Sequence, residues 1–282
     1  MIGKSTEEWC QDHIWKAHFK GKVFTSISIP LPEIFIRFLD IDSVVVDKND
    51  DDNETQQILH SEEFSTILSQ ISESISKIGG AGVIPRLNWS CPKDAEWMNS
   101  LCCKTSREVL ILLKSSVLLA SDCELAEKLS LPLILNLVRY HKLREGMLFR
   151  CFVKEKVLVA VSQKEVSVCF DYLKDIKSDI LRKCEEIARV IIEKCPLDNF
   201  CFDIYVDMPP LYRAFIMGFN AFHESSDSLL FSWEEIENLT EKTMRIVDDQ
   251  TVQASSYSPY RVPLEMTDCK DFSEFINSLP KK

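Results

Sequence analysis

With 282 residues, 45% of them hydrophobic, the chain can bury one large core or two coupled ones, which excludes disorder as its main character. Its 44 acidic residues outweigh 33 basic ones, and the net charge of -11 repels phosphate backbones and anionic lipid, excluding nucleic acid and membrane as main partners. Eleven cysteines, an odd number in a long chain whose first residues lack the apolar stretch of a secretory signal, read as reduced thiols of a cytosolic or nuclear protein.

Ser5-Thr6-Glu7-Glu8 has capping-box spacing, so a short helix is expected to follow. Residues 23–29 alternate apolar and polar types as a half-buried strand does, and Pro30-Leu31-Pro32 ends it. After Val44-Val45-Val46, the acidic run at residues 47–54 reads as a solvated loop, since it lacks the glycine and distal glutamate of an EF-hand. Phe64, Ile67, Leu68, Ile71, Ile75 and Ile78 recur at helical spacing, and Gly79-Gly80 supplies the left-handed conformation that stops the helix. The most apolar segment, residues 109–120, is interrupted by Lys114 and is too short to span a bilayer. Residues 147–163 read as two strands joined tightly near Lys154-Glu155-Lys156, and Tyr172, Ile176, Ile180, Cys184, Ile187 and Ile191 mark a long amphipathic helix. A second strand pair is expected at residues 199–206 and 211–220, joined by Asp207-Met208-Pro209-Pro210, and Ser232-Trp233-Glu234-Glu235 repeats the capping-box pattern. The fold class is α+β, with paired antiparallel strands in the C-terminal half.

Local chemistry is sparse. Cys102 and Cys103 are adjacent and no Cys-x-x-Cys occurs, so a zinc site is not indicated. Ser74-Ile75-Ser76-Lys77 matches a serine–lysine nucleophile pattern but falls on the solvent face of the amphipathic helix. Gly79-Gly80-Ala81-Gly82 is not followed by Gly-Lys-Ser/Thr, so a helix stop accounts for it better than a phosphate loop. Strand alternation puts Asp203 and Tyr205 on one face, and Gly218 and Asn220 on one face of the next strand. A carboxylate and an amide oxygen then converge across the ladder, as a magnesium ion bridging phosphates requires, although a solvent-facing aspartate is the simpler reading of that pattern taken alone.

Several segments in shared order resemble the cell division cycle protein 123 family: residues 85–95 (Pro-Arg-Leu-Asn-Trp-Ser-Cys-Pro-Lys-Asp-Ala), Phe149-Arg150-Cys151-Phe152-Val153-Lys154, Ser162-Gln163-Lys164, Phe202-Asp203-Ile204-Tyr205, Phe219-Asn220 and residues 227–235. Weaker matches near Trp15 and Tyr260-Arg261 extend the likeness over most of the chain. The resemblance implies an ATP-grasp-like fold of two lobes with nucleotide between them. It also implies a cytoplasmic assembly chaperone, monomeric before complex formation, that binds the gamma subunit of translation initiation factor 2. The corresponding division is an N-terminal lobe over 1–135, a C-terminal lobe over 136–250 and a tail with a helix over 251–282.

By the same likeness ATP is held by Arg86, Trp89, Ser90, Lys93, Arg139, Tyr140, Arg150, Lys164, Asp203 and Asn220, with Asp203 and Asn220 as magnesium ligands. Arg86 stands in place of a lysine, Lys164 in place of an arginine, and Arg139-Tyr140 in place of the lysine-tryptophan beside adenine. One departure stands out: Gly218 replaces a carboxylate of the expected magnesium site, which weakens the metal and makes a catalytic cycle doubtful. A scaffold that has lost its nucleotide, or a carboxylate-activating ligase, are the alternatives that the fold leaves open.

Overall fold

Residues 5–41, 57–98, 100–248 and 251–253 are described by the computed structural model, which is a mixed α+β structure built on two sheets. Two short helices, α1 (Thr6–Cys10) and α2 (Asp12–Lys16), begin it. The expected capping box is formed at α1: the Ser5 hydroxyl accepts from the Glu8 amide at 3.2 Å and the Ser5 amide donates to the Glu8 carboxylate at 3.0 Å.

The first sheet has the order β1-β3-β2 and is antiparallel, with β1 (Ser26–Pro30) and β2 (Val83–Arg86) flanking β3 (Ile134–Arg139). The helices α3 (Glu33–Asp40), α4 (Glu62–Ile78), α5 (Ser106–Lys114) and α6 (Val117–Lys128) contribute with it to one apolar core. As its spacing predicts, α4 buries Phe64, Ile67, Ile71 and Ile78, and it stops where Gly79 and Gly80 take φ of 63° and 79°. All of β3 pairs within this sheet.

The second sheet runs β7-β6-β4-β5-β8, with β4 (Leu148–Lys154), β5 (Val157–Gln163), β6 (Phe200–Val206), β7 (Ala214–Ala221) and β8 (Thr243–Arg245). The tight β4–β5 connection is a two-residue turn in which Glu155 and Lys156 both have positive φ, the geometry that matches strand twist. The long helix α7 (Tyr172–Lys194) buries Ile180, Cys184, Ile187 and Ile191 in the sheet's main core, and α8 (Trp233–Asn238), with its own capping box, closes a smaller cluster around Phe152 and Phe231.

The N-terminal helices join this second core, not the first. Phe219 on β7 is ringed by Trp9, Trp15, Phe19, Phe200 and Phe202 at centroid distances of 6.3, 5.2, 5.9, 5.9 and 6.2 Å. Among the described residues every cysteine is a free thiol, and no helix is long and apolar enough to cross a membrane. The acidic run at 47–54 and most of the expected tail at 251–282 lie outside the described residues.

Phe219 fills the space where three rings of the N-terminal segment meet two rings of β6. Phe219→Ala is expected to lower stability by about 3–5 kcal/mol, and Phe219→Leu by much less, as read from urea denaturation. A loss below about 1 kcal/mol for the alanine variant contradicts the close packing described.

Candidate functional site

The site grows out of one cross-strand row. Gly218 on β7 pairs with Asp203 on β6, Asp203 with Arg150 on β4, and Arg150 with Ser162 on β5. Burial would raise the Asp203 carboxyl, yet the groups beside it dominate. Arg150 donates from Nε to Asp203 Oδ1 at 2.8 Å and from Nη2 to Oδ2 at 3.0 Å, and Lys164 Nζ makes a close ion pair with Oδ2. These cations hold the carboxyl well below the usual carboxylate range. Burial pushes the Lys164 ammonium down; Asp203 opposes this, and Lys93 and Arg150 add to it. Arg150 Nη1 also donates to the Asp227 carbonyl at 2.8 Å, so the guanidinium is locked in place.

The segment after β2 faces this row from the first sheet. Two buried acids that periodicity does not reveal set its shape. Asp122 on α6 accepts from the Trp89 amide at 3.0 Å, the Ser90 amide at 2.8 Å and the Ser90 hydroxyl at 2.7 Å. Asp94 accepts from the Ser116 hydroxyl at 2.6 Å. Asn88, also buried, donates to Gln11 and to the Pro132 carbonyl, both at 2.9 Å, and accepts from the Ile134 amide at 2.7 Å. Arg86 bridges the sheets: Nη1 donates to the Met217 carbonyl at 2.9 Å, and Nη2 lies 3.1 Å from Asp12 of α2.

Between the sheets lies a cleft of about 270 Å³. Of the residues named from the sequence, Arg86, Trp89, Ser90, Lys93, Arg139, Arg150, Lys164, Asp203 and Asn220 line it. Tyr140 does not: it borders a separate surface hollow with Cys102 and Cys103, and the next residue, His141, lines the cleft instead. Asp203 and Tyr205 do share a face of β6, pairing with Arg150 and Leu148 in unbroken register, but Tyr205 is buried in the main core while Asp203 lines the cleft. A bulge offsets the β6–β7 register between Asp203 and Ile204, and Asn220 pairs with Cys201.

Sequence reasoning misses the opposite, apolar wall of Phe24, Ile84, Val138, Leu143 and Leu148. There His141 stacks on Phe24 at 4.4 Å; burial, then Arg139, pushes its pKa down and keeps the ring neutral. Among the described residues five basic side chains and one acidic one line the cleft, in a chain whose net charge is -11. That balance selects an anion.

Magnesium on Asp203 and Asn220 fits less well. Both oxygens of Asp203 already accept from cations, and Gly218 opposite it supplies no ligand. Among the described residues no group of three or more His, Cys, Asp or Glu is placed to hold a metal.

Asp203 is the counter-charge of a buried cationic cluster, so Asp203→Asn is expected to lower stability by about 3–5 kcal/mol at neutral pH. Since its pKa is depressed in the folded state, its contribution is complete above the unfolded value of about 3.9 and is lost as pH falls below it. Chemical denaturation of both proteins from pH 7 downward checks this. The gap between them should close in acid, and a constant gap contradicts the assigned ion pair.

Comparison with known proteins agrees with this architecture. Residues 46–270 match the D123 family. The chain is 30% identical to a translation initiation factor eIF2 assembly protein of Dictyostelium discoideum, covering 91% of this chain and 90% of that protein. A protein of the same description from Xenopus tropicalis is also 30% identical, over 92% and 90% of the two chains. The structure of Cdc123 from Schizosaccharomyces pombe superposes with a TM-score of 0.73 at 28% identity, covering 87% of this chain and 96% of that one. A match over most of the length, in sequence and in fold, establishes that the chain belongs to the D123 family.

Proposed function

We propose that the chain is an ATP-binding assembly factor that promotes formation of the eukaryotic initiation factor 2 complex by binding its gamma subunit. The observation that carries the nucleotide part is the charge balance of the cleft. Among the described residues, five basic groups and one acid line it together with apolar side chains, and His141 stacks on Phe24. A nucleotide combines the same features, an anionic chain joined to a flat aromatic base.

Each residue then has a task that follows from its position. Arg86, Lys93 and Lys164 neutralise phosphate oxygens, while Asp203 and the Asp227 carbonyl hold Arg150 so that it cannot swing away. Trp89 and Ser90 are braced by Asp122 and keep the first-sheet wall rigid. Magnesium, when it comes with the phosphates, would approach Asp203 and Asn220. Binding and positioning are what these groups supply, and the output is a protein complex rather than a chemical product.

The assembly part of the proposal rests on the relatives described as eIF2 assembly proteins, which match this chain over nine-tenths of its length. An acidic chain of net charge -11 also favours a basic docking surface on the partner, an attraction that salt weakens.

Lys164→Met is expected to weaken ATP binding about tenfold or more by calorimetry, while the exposed Lys20→Met changes it little. Equal affinities in all three proteins contradict the phosphate site. Mixing the purified chain with the gamma subunit at low salt should give a complex on gel filtration; separate elution of two folded proteins contradicts the partner.

A further inference from the structure

Resting on the reading of this cleft as a nucleotide site, we infer that it takes the nucleotide's phosphates as a metal-free anion. Arg86, Arg150 and Lys164 supply the charge compensation that a divalent cation gives in a metal-dependent site. The first observation is the state of Asp203, the one acidic side chain lining the cleft among the described residues. Its Oδ1 accepts from Arg150 Nε at 2.8 Å, and its Oδ2 accepts from Arg150 Nη2 at 3.0 Å and pairs with Lys164. A magnesium ion binds carboxylate oxygen at about 2.1 Å, so it would have to displace one cation and then lie beside the others.

The second observation is what stands opposite Asp203. Gly218 offers no ligand, and a Cβ built on it would lie 3.6 Å from Arg86 Nη2. The guanidinium of Arg86 therefore occupies the space beside position 218, anchored by the Met217 carbonyl and Asp12. A cation stands where a second carboxylate would have to reach in order to complete a metal site.

The third observation concerns the form of the ligand. Bound magnesium removes negative charge from a polyphosphate, whereas a wall of five basic groups against one acidic group gains most from the fully ionised chain. Metal-free nucleotide is therefore the better electrostatic match, and the same holds for other nucleoside polyphosphates.

The test is calorimetric titration of the full chain with ATP, once with EDTA and once with excess magnesium. The expected result is an affinity in EDTA that is tighter than, or within about threefold of, that in magnesium. Weaker binding in EDTA by more than that overturns the inference and leaves the nucleotide reading intact, while binding under neither condition overturns both.

Gly218→Asp sets a carboxylate against Arg86 and opposite Asp203. It is expected to weaken binding in EDTA about tenfold and to make magnesium improve it, whereas Gly218→Asn should show no such new dependence on metal. An unchanged affinity of Gly218→Asp in EDTA overturns the role given to Arg86. Should either variant fail to fold, the two titrations of the natural chain decide the matter alone.

Discussion

The paired donors of Arg150 on the carboxylate of Asp203, in the middle of a five-stranded sheet, set the terms for everything around the cleft. Two ionised groups on central strands are expensive to desolvate, and a buried ion pair rarely stabilises a fold more than well-packed apolar residues would. The fold tolerates the pair because the other face of these strands is dry: Phe202 and Ile204 flank Asp203, and Cys151 follows Arg150, all fully buried. The result is a rigid charged floor bearing Lys164, which Arg86 and Lys93 face from the side of the first sheet. Rigidity of this kind limits the conformational entropy lost when a ligand binds.

The bridge between the sheets is made differently. Arg86 reaches from β2 to the backbone of β7, and Asp12, carried by α2, holds it by charge while also pairing with Lys16. The Asp12 amide in turn donates to the Asn88 carbonyl at 2.6 Å. One short helix thus connects the turn after β2 to the strand that carries Gly218, and the width of the cleft depends on it.

Local chemistry makes much of the fold legible in the sequence. The two Ser-x-x-Glu boxes, the glycine stop after α4 and the period of α7 act within a few residues of each other, so sequence alone reports them. Two strands of the first sheet are not legible, for an equally physical reason. Val83-Ile84-Pro85-Arg86 is four residues long with a proline inside, and Ile134–Arg139 is buried on both faces, so neither alternates. Of the site, only the approach of Asp203 to Asn220 can be read from strand pattern; the other cleft residues come from likeness to a family. Asp12 and Asp122 stay hidden because an aspartate in a helix looks like a surface residue until its partners, more than 30 positions away, are known. Tyr140 lies one residue beyond the end of β3, where the strand's face-to-face alternation no longer decides which side chain turns inward, and its neighbour His141 takes the place in the cleft.

The packing of α1 and α2 on β7 has a consequence for how the molecule comes to be made. Their aromatic anchors, Trp9 and Trp15, are made some two hundred residues before Phe219, the ring they close upon. Contacts of such long sequence separation form late, because the intervening loop must first be ordered. For most of translation the opening helices therefore carry exposed tryptophans with nowhere to dock, a period in which a holding chaperone is useful to the chain itself. The return of these helices, which brings Asp12 to Arg86, completes the cleft only once β7 is in place.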